Sequence, residues 1–290
     1  MRKRVKLIIV FLTLLAFVLF IVYGLTGDRN KYKDKIAQLL SDNKIIPLEA
    51  DPKMLDRTIS DFFISTSHNT YIKSAQHLSV VSIAPIRDAL KMGARCIELD
   101  ISSLLPYPIV AHGDKTAITT TFITFKRALE AILQYGFNTS DPLILCLEIY
   151  DTSNTNINEQ IKELLVETFK DRLWDRTKSG SFVFAPIRQL LNKIVVVGPT
   201  GEDGVFDNIF DNRITNLGAN RAIKTRSSGF SRVYRDDNSI DQILSSNLDP
   251  KPYWANRHNL VAMNFQLNDY SLYEYLYFFK NSSFVKIDRG

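Results

Sequence analysis

The chain has 290 residues, 45% of them hydrophobic. That is enough apolar material for one large domain or two modest ones, and it excludes a disordered polypeptide. A net charge of +5 and an isoelectric point of about 9.0 suit an anionic partner, whether nucleic acid or a lipid surface, without choosing between them. The two cysteines, Cys96 and Cys146, lie in the apolar runs RCIEL and LCLEI. They read as small core residues, although the sequence leaves a disulfide open. With no CxxC or HxxH spacing beside them, zinc is disfavoured.

Residues 7–25, LIIVFLTLLAFVLFIVYGL, carry no charge. At about 1.5 Å of rise per helical residue, such a run just crosses a bilayer. A cleaved signal peptide is the competing reading, but its apolar region is typically about 7–15 residues with small residues at the cleavage site. This run is longer and lacks a clear A-x-A, which favours an uncleaved single-pass anchor over 1–27. Basic residues precede it (Arg2, Lys3, Arg4, Lys6) and follow it (Arg29, Lys31, Lys33, Lys35), so the side of the membrane is not readable. Residues 28–47 are polar and basic, with a weak helical pattern at Ile36, Leu39 and Leu40. They read as a juxtamembrane stalk whose charge suits anionic headgroups.

Beyond the stalk, two kinds of segment alternate. DFFIST is strand-like, SIAPIRDALKMG is an amphipathic helix ending near Gly93, and ARCIELDI and PIVAH are strands. TFKRALEAILQYGF is a helix, PLILCLEIY a strand, EQIKELLVETFKDRL a long helix, and KIVVVG a strand. LVAMNFQ and SFVKI close the series as strands. Strands alternating with crossover helices predict a parallel α/β sheet. No GxGxxG is present, which argues against a dinucleotide fold, and a (β/α) barrel fits the length.

In such a barrel, functional groups gather at the C-terminal ends of the strands. The first strand here ends in His68-Asn69, and ARCIELDI carries Glu98 and Asp100, two apart and so on one face. PIVAH ends in His112, and LILCLE ends in Glu148. Three carboxylates sharing a mouth would repel one another unless a cation lay among them. The oxygen set Asn69, Glu98, Asp100 and Glu148 suits a hard cation, Ca²⁺ before Mg²⁺. Two imidazoles beside that cation point to phosphoryl chemistry, with charge stabilisation and proton transfer available together. Each residue taken singly has a blander reading, as a solvated carboxylate or a packed imidazole, and His77 and His258 are placed in that class.

The motifs RTISDFFISTSHNTYI, GARCIELDI, VAHG, PLILCLEIY, FSRVY, SSNLDPKPYW and NLVAMNFQ follow in this order. Together they resemble the X and Y catalytic halves of eukaryotic phosphoinositide-specific phospholipase C, from about Ile45 to Lys286. The resemblance implies a distorted (β/α) TIM-type barrel, with X over 48–200 and Y over 201–290. It implies calcium-dependent cleavage of an inositol phospholipid to diacylglycerol and an inositol phosphate, by way of a 1,2-cyclic phosphodiester. On the matching positions, His68 would stabilise the pentacovalent phosphorus and His112 would be the general acid. Asn69, Glu98, Asp100 and Glu148 would hold calcium, and Glu98 or Glu148 would take the proton of the 2-hydroxyl. Arg232 and Tyr234 would contact the inositol and its ring phosphate.

The chain also departs from that family. Two lysines that usually bind the 4- and 5-phosphates fall at Val197 and Pro199, the Asp usually preceding SSN is Leu244, and the linker between halves shrinks to little more than residues 201–204. These departures put preference for a bisphosphorylated headgroup in doubt. A glycerophosphodiester phosphodiesterase is an alternative enzyme, but it leaves the Y-half motifs unexplained. A membrane-anchored pseudoenzyme is the alternative outside enzymes, and it would have lost one of the histidines or calcium ligands. The partners expected are a membrane inositol phospholipid and an anionic membrane surface, not nucleic acid, and no protein partner is deducible.

Overall fold

The computed structural model of the chain describes residues 11–16, 31–73, 80–103, 105–112, 121–199, 204–236 and 246–288. Among the described residues ten strands are formed: β1 (Phe62–Ser67), β2 (Cys96–Ser102), β3 (Ile109–Val110), β4 (Ile123–Thr124), β5 (Leu143–Ile149), β6 (Ile194–Val197), β7 (Thr215–Gly218), β8 (Ser231–Tyr234), β9 (Leu260–Met263) and β10 (Phe284–Lys286). Parallel ladders join them in the order β6-β5-β2-β1-β9-β8-β7. No ladder joins β6 to β7 among the described residues, so the curved sheet stays open between these two strands. This is the predicted TIM-type arrangement with a gap, because β6 is bridged to Phe210 through Val196 instead of to a neighbouring strand.

Strict alternation along the strands sorts side chains between two cores. Ile97, Leu99 and Ile101 of β2 and Leu143, Leu145 and Leu147 of β5 join the core shared with the helices. Their neighbours Cys96, Ile144 and Cys146 turn to the inner core, with Ile64, Val195, Val197 and Leu260. The same alternation puts Glu98, Asp100, Glu148, Arg232 and Tyr234 on the inner face, further along their strands. The cysteines are free and buried, with Sγ atoms 3.6 Å apart.

Among the described residues five longer helices cover the outside: α1 (Lys33–Asp42), α2 (Ile83–Lys91), α3 (Phe125–Gly136), α4 (Thr155–Phe169) and α5 (Tyr270–Phe278). α3 starts where the Thr124 hydroxyl accepts from the Arg127 amide, and it buries Phe125, Ala128, Leu129 and Ile132 along one stripe. Each such large apolar side chain contributes about 1.5–3 kcal/mol of burial. α4 is capped by Asn154, whose side chain accepts from the Ile157 amide, so the helix begins four residues before the predicted start at 159.

Three elements differ from the sequence expectation. PIVAH forms β3, which pairs antiparallel with β2 and with β4 and so leaves the barrel as a short excursion. SFVKI forms β10, antiparallel to β1. The segment read as a stalk is helical as α1 and packs on α5, burying Ile36 and Leu39, with Tyr32 against the rings of Tyr270 and Tyr273. Those apolar contacts make it part of the globular unit and not a free spacer. The anchor expected over 7–25 falls mostly outside the described residues; only 11–16 are described, as helix. Among the described residues no helix is long and apolar enough to cross a membrane. His77 also lies outside them.

Candidate active site

β1 ends in a tight reversal that builds the first part of the site. The His68 amide donates to the Met263 carbonyl, 2.8 Å, which continues the β1–β9 ladder by one residue. Asn69 then turns with φ +43, a left-handed conformation that asparagine tolerates. Its amide donates to Glu98 Oε2, 3.1 Å, while the Thr70 amide donates to the Glu98 carbonyl and the Thr70 hydroxyl accepts from the Glu98 amide, both 3.1 Å. The turn is thus locked onto β2 at the carboxylate that it serves.

The structure brings all the predicted mouth residues together. Carboxylate oxygens of Glu98, Asp100 and Glu148 lie within 4.8 Å of one another, with Glu98 and Asp100 buried and Glu148 exposed. His68 Nε2 is 3.6 Å from Glu98 Oε2, and His112 Nδ1 is 3.3 Å from Asp100 Oδ2. Both imidazoles remain partly open, at 13% and 20% exposure. Burial of Glu98 opposes its charge, but the Arg232 guanidinium, His68 and the Asn69 amide outweigh it and hold the carboxyl below the ordinary value. Arg232 is itself buried and bonds Glu98 Oε1 directly, across a sequence separation of 134 residues. Its guanidinium therefore serves Glu98, with Tyr234 alongside at 5.9 Å from ring centre.

The donor set fits a hard divalent cation. Asp100 Oδ1 is buried and has no hydrogen-bond partner, an orphaned acceptor next to two further carboxylates. Its other oxygen accepts from the Tyr150 hydroxyl at 2.7 Å and faces His112 Nδ1. Oxygen donors without thiolate are the chemistry of calcium or magnesium sites.

Sequence reasoning missed four residues here. Tyr150 holds Asp100. Tyr71, fully buried, places its hydroxyl 3.2 Å from His112 Nδ1 and 3.4 Å from Asn69 Oδ1. Burial, then the nearby Asp100 charge, push that hydroxyl well above its ordinary pKa, so it stays a neutral donor. Asn264 Oδ1 lies 3.2 Å from His68 Nδ1, and Asn247 Oδ1 accepts from the Asn264 amide at 2.6 Å. All four stand inside quoted motifs (SHNTY, CLEIY, SSN and MNFQ), and that was the available signal. His258 is fully buried, as a packed histidine should be.

A family profile described as "Phosphatidylinositol-specific phospholipase C, X domain" matches residues 55–199, half of the chain. The chain belongs to this family. Curated relatives agree: 1-phosphatidylinositol 4,5-bisphosphate phosphodiesterase zeta-1 of Homo sapiens is 34% identical over 145 residues, 49% of this chain and 22% of that protein. The zeta-1 enzyme of Rattus norvegicus is 36% identical over 121 residues, 41% of this chain and 18% of its own length. Phosphoinositide phospholipase C 2 of Arabidopsis thaliana is 33% identical over 146 residues, 49% of this chain and 24% of that protein. The match thus spans less than a quarter of the length of these relatives. Among solved structures, L. pealei PLC21 aligns over 83% of this chain and 38% of its own, with TM-score 0.67 and 21% identity. The Listeria monocytogenes phosphatidylinositol-specific phospholipase C aligns over 81% of this chain and 97% of its own, with TM-score 0.57 and 14% identity. At these identities the structural likeness establishes the TIM-like α/β fold alone, and at 83% and 81% of the chain it extends beyond the profile match at residues 55–199.

Proposed function

We propose that this phospholipase C domain cleaves inositol phospholipids to diacylglycerol and an inositol phosphate, with calcium held by Asn69, Glu98, Asp100 and Glu148. The observation that carries the reading is the cluster of three carboxylates, with its orphaned Asp100 oxygen, set between two imidazoles at one barrel mouth. Bound calcium would supply positive charge to the phosphoryl oxygens and acidify the inositol 2-hydroxyl. Both oxygens of Glu98 are engaged, by Arg232 and by the Asn69 amide, whereas Glu148 is exposed. On this reading Glu148, the carboxylate open to solvent, takes the proton of the 2-hydroxyl. The attacking 2-hydroxyl forms a 1,2-cyclic phosphodiester as the diacylglycerol oxygen leaves, and a water then adds to that phosphorus and breaks its bond to the 2-oxygen, giving the inositol phosphate. His68 stabilises charge on the pentacovalent phosphorus. His112, with Nδ1 turned to Asp100, gives the Nε2 proton to the leaving oxygen.

The test is hydrolysis on vesicles containing phosphatidylinositol, its monophosphates and its bisphosphate, with calcium varied. Activity that survives excess chelator undiminished overturns the calcium assignment. For the headgroup, Val197 is buried in the inner core and Pro199 has no N–H, so neither offers a side-chain donor to a ring phosphate. Plain or singly phosphorylated headgroups should be cleaved at least as efficiently as the bisphosphate, and a tenfold preference for the bisphosphate in kcat/KM would refute this.

We also propose that the uncharged run 7–25 anchors the chain in a membrane. The chain enters the barrel at the mouth: the Tyr32 amide donates to the Asn268 carbonyl, 3.3 Å, in the loop that follows β9. An anchor just before it would hold the mouth toward the bilayer that contains the substrate. A mature N-terminus near Thr26 on a protein that carbonate releases from membranes would show a cleaved signal peptide instead.

A further inference from the structure

The Y half carries two asparagine motifs, SSN and MNFQ, to which the proposed chemistry gives no task. In space they meet behind His68. Asn264 follows β9, and the β1–β9 register (Ser67 opposite Met263) brings it beside His68, which follows β1. Asn264 Oδ1 faces His68 Nδ1 at 3.2 Å, across 196 residues of sequence. Its Nδ2 lies 3.5 Å from the Ser246 carbonyl, an acceptor, which fixes the amide with oxygen toward the ring. Asn264 is held in turn from both sides of its backbone. Its amide donates to Asn247 Oδ1 at 2.6 Å, and its carbonyl accepts from Asn247 Nδ2 at 3.1 Å. Asp269 anchors Asn247, taking the Asn247 amide on Oδ2 and Asn247 Nδ2 on Oδ1, both 3.1 Å. Asp269 also caps α5 through the Leu272 amide at 2.9 Å, so the chain of bonds ends on a rigid element.

We propose that Asn264 is a positioning residue for His68, and that Asn247 and Asp269 hold Asn264 in register. An amide oxygen can only accept, so it keeps the ring proton on Nδ1 and fixes the ring plane. That turns Nε2, the nitrogen facing Glu98, toward the phosphoryl group, where it donates once the ring carries its second proton as an imidazolium. A neutral acceptor does this without adding a further negative charge to a mouth that already has three carboxylates. The device makes the X half depend on the Y half for the orientation of its first histidine. It rests on the phospholipase reading of the mouth.

The experiment begins by confirming calcium-dependent turnover by the parent protein; absence of turnover there refutes the functional reading, not the positioning role. Asn264→Leu, close to the same volume without the acceptor, should lower kcat by about 10–100-fold, the range for losing a supporting partner of a site residue. KM should stay within about twofold, because the residue is one step removed from substrate. Asn264→Asp, which restores an acceptor, should recover most of the loss. In a His68→Ala background Asn264→Leu should add less than about twofold. Effects that multiply in the double mutant, or equal losses in the Leu and Asp variants, would overturn the proposal. Should Asn264→Leu fail to fold, Asn247→Ala carries the test through nitrogen-15 spectra of the neutral His68 ring, recorded at alkaline pH: the parent shows the Nδ1–H form, and the variant a mixture of the two tautomers. An unchanged ring spectrum in Asn247→Ala would count against the proposed chain of support.

Discussion

The two ends of the barrel use the same residue types for opposite ends. At the N-terminal floor His258 is fully buried and has every nitrogen occupied: Nδ1 lies 3.0 Å from the Ser231 hydroxyl, and Nε2 lies 3.0 and 2.9 Å from the carbonyls of Ala222 and Thr225. Arg95, also on the floor, spends its guanidinium on the Gly136 carbonyl, Asn138 and Thr139 at 2.7 to 3.0 Å. At the mouth, His68 and His112 keep partial exposure, Asp100 keeps one oxygen unpartnered, and three carboxylates crowd within 4.8 Å. At the floor the His258 ring and the terminal nitrogens of Arg95 are spent on holding neighbouring backbone and side chains, and the atoms left over, such as Arg95 Nε, are isolated from one another instead of gathered at one opening. The mouth leaves some unsatisfied, at a cost in stability, and that surplus is available to a ligand.

The largest expected effect separates the two ends by activity. His68→Ala and His112→Ala should each lower turnover by about 10²–10⁴-fold, the usual weight of an acid–base or charge-stabilising group. Their melting temperatures should stay close to the parent's, since both rings are partly solvated. A variant that melts far below the parent would show the histidine to be a structural member like His258, and the contrast between floor and mouth would fail.

Arg232→Met tests the part of the mouth that behaves like the floor. It leaves Glu98 buried without its cation, and breaking such a pair costs roughly 3–5 kcal/mol. Urea titration at neutral pH reads this directly. The pH dependence has a defined sign. Glu98 is held below its ordinary value in the folded chain, so it contributes stability that is present above about pH 4.3, the unfolded value, and is lost as pH falls through the lower folded one. The variant should show less of that acid-dependent loss. Added calcium should raise the stability of the parent, and an unchanged melting curve with and without calcium would weaken the metal assignment.

His258→Ala should do the reverse of the mouth histidines. Removing a buried ring leaves the Thr225 carbonyl without its donor, while the Ala222 carbonyl keeps Asn256 Nδ2, and opens a cavity, for roughly 2–4 kcal/mol of lost stability. Below its reduced melting temperature, kcat should match the parent's within about twofold.

Much of the mouth was legible because strand alternation is local. Glu98 and Asp100 announce themselves two residues apart at the end of an apolar run, and Glu148 does so at the end of another. The strands that escaped notice, β4 as IT, β7 as TNLG and β8 as SRVY, are two to four residues long and lack an apolar run. β3 and β10 look like barrel strands in composition, but pairing direction is a tertiary property and they run antiparallel. The docking of α1 depends on two buried residues, Ile36 and Leu39, within a stretch otherwise polar enough to read as a spacer. The Arg232–Glu98 pair and the Asn264–His68 contact close loops of 134 and 196 residues, and no spacing rule within one sequence reaches that far.

Tyr150→Phe should give the smallest effect and the sharpest division of roles within the mouth. The hydroxyl donates to Asp100 Oδ2 at 2.7 Å, the same oxygen that faces His112 Nδ1 at 3.3 Å. With Oδ2 engaged twice, Oδ1 is the buried oxygen left without a partner, and so the one available to the proposed cation. The phenylalanine variant keeps the ring and its packing but removes one charge-assisted hydrogen bond, worth about 1.5–3 kcal/mol. Asp100 can then rotate toward His112 and away from the metal position. Supporting partners of metal ligands typically change metal affinity by about 10–100-fold when removed. The calcium concentration for half-maximal activity should therefore rise by about tenfold, while kcat at saturating calcium changes by less than about threefold. A loss of kcat that saturating calcium does not repair would instead place the effect of Tyr150 on His112, through the shared oxygen, and would remove its role in holding the proposed calcium ligand.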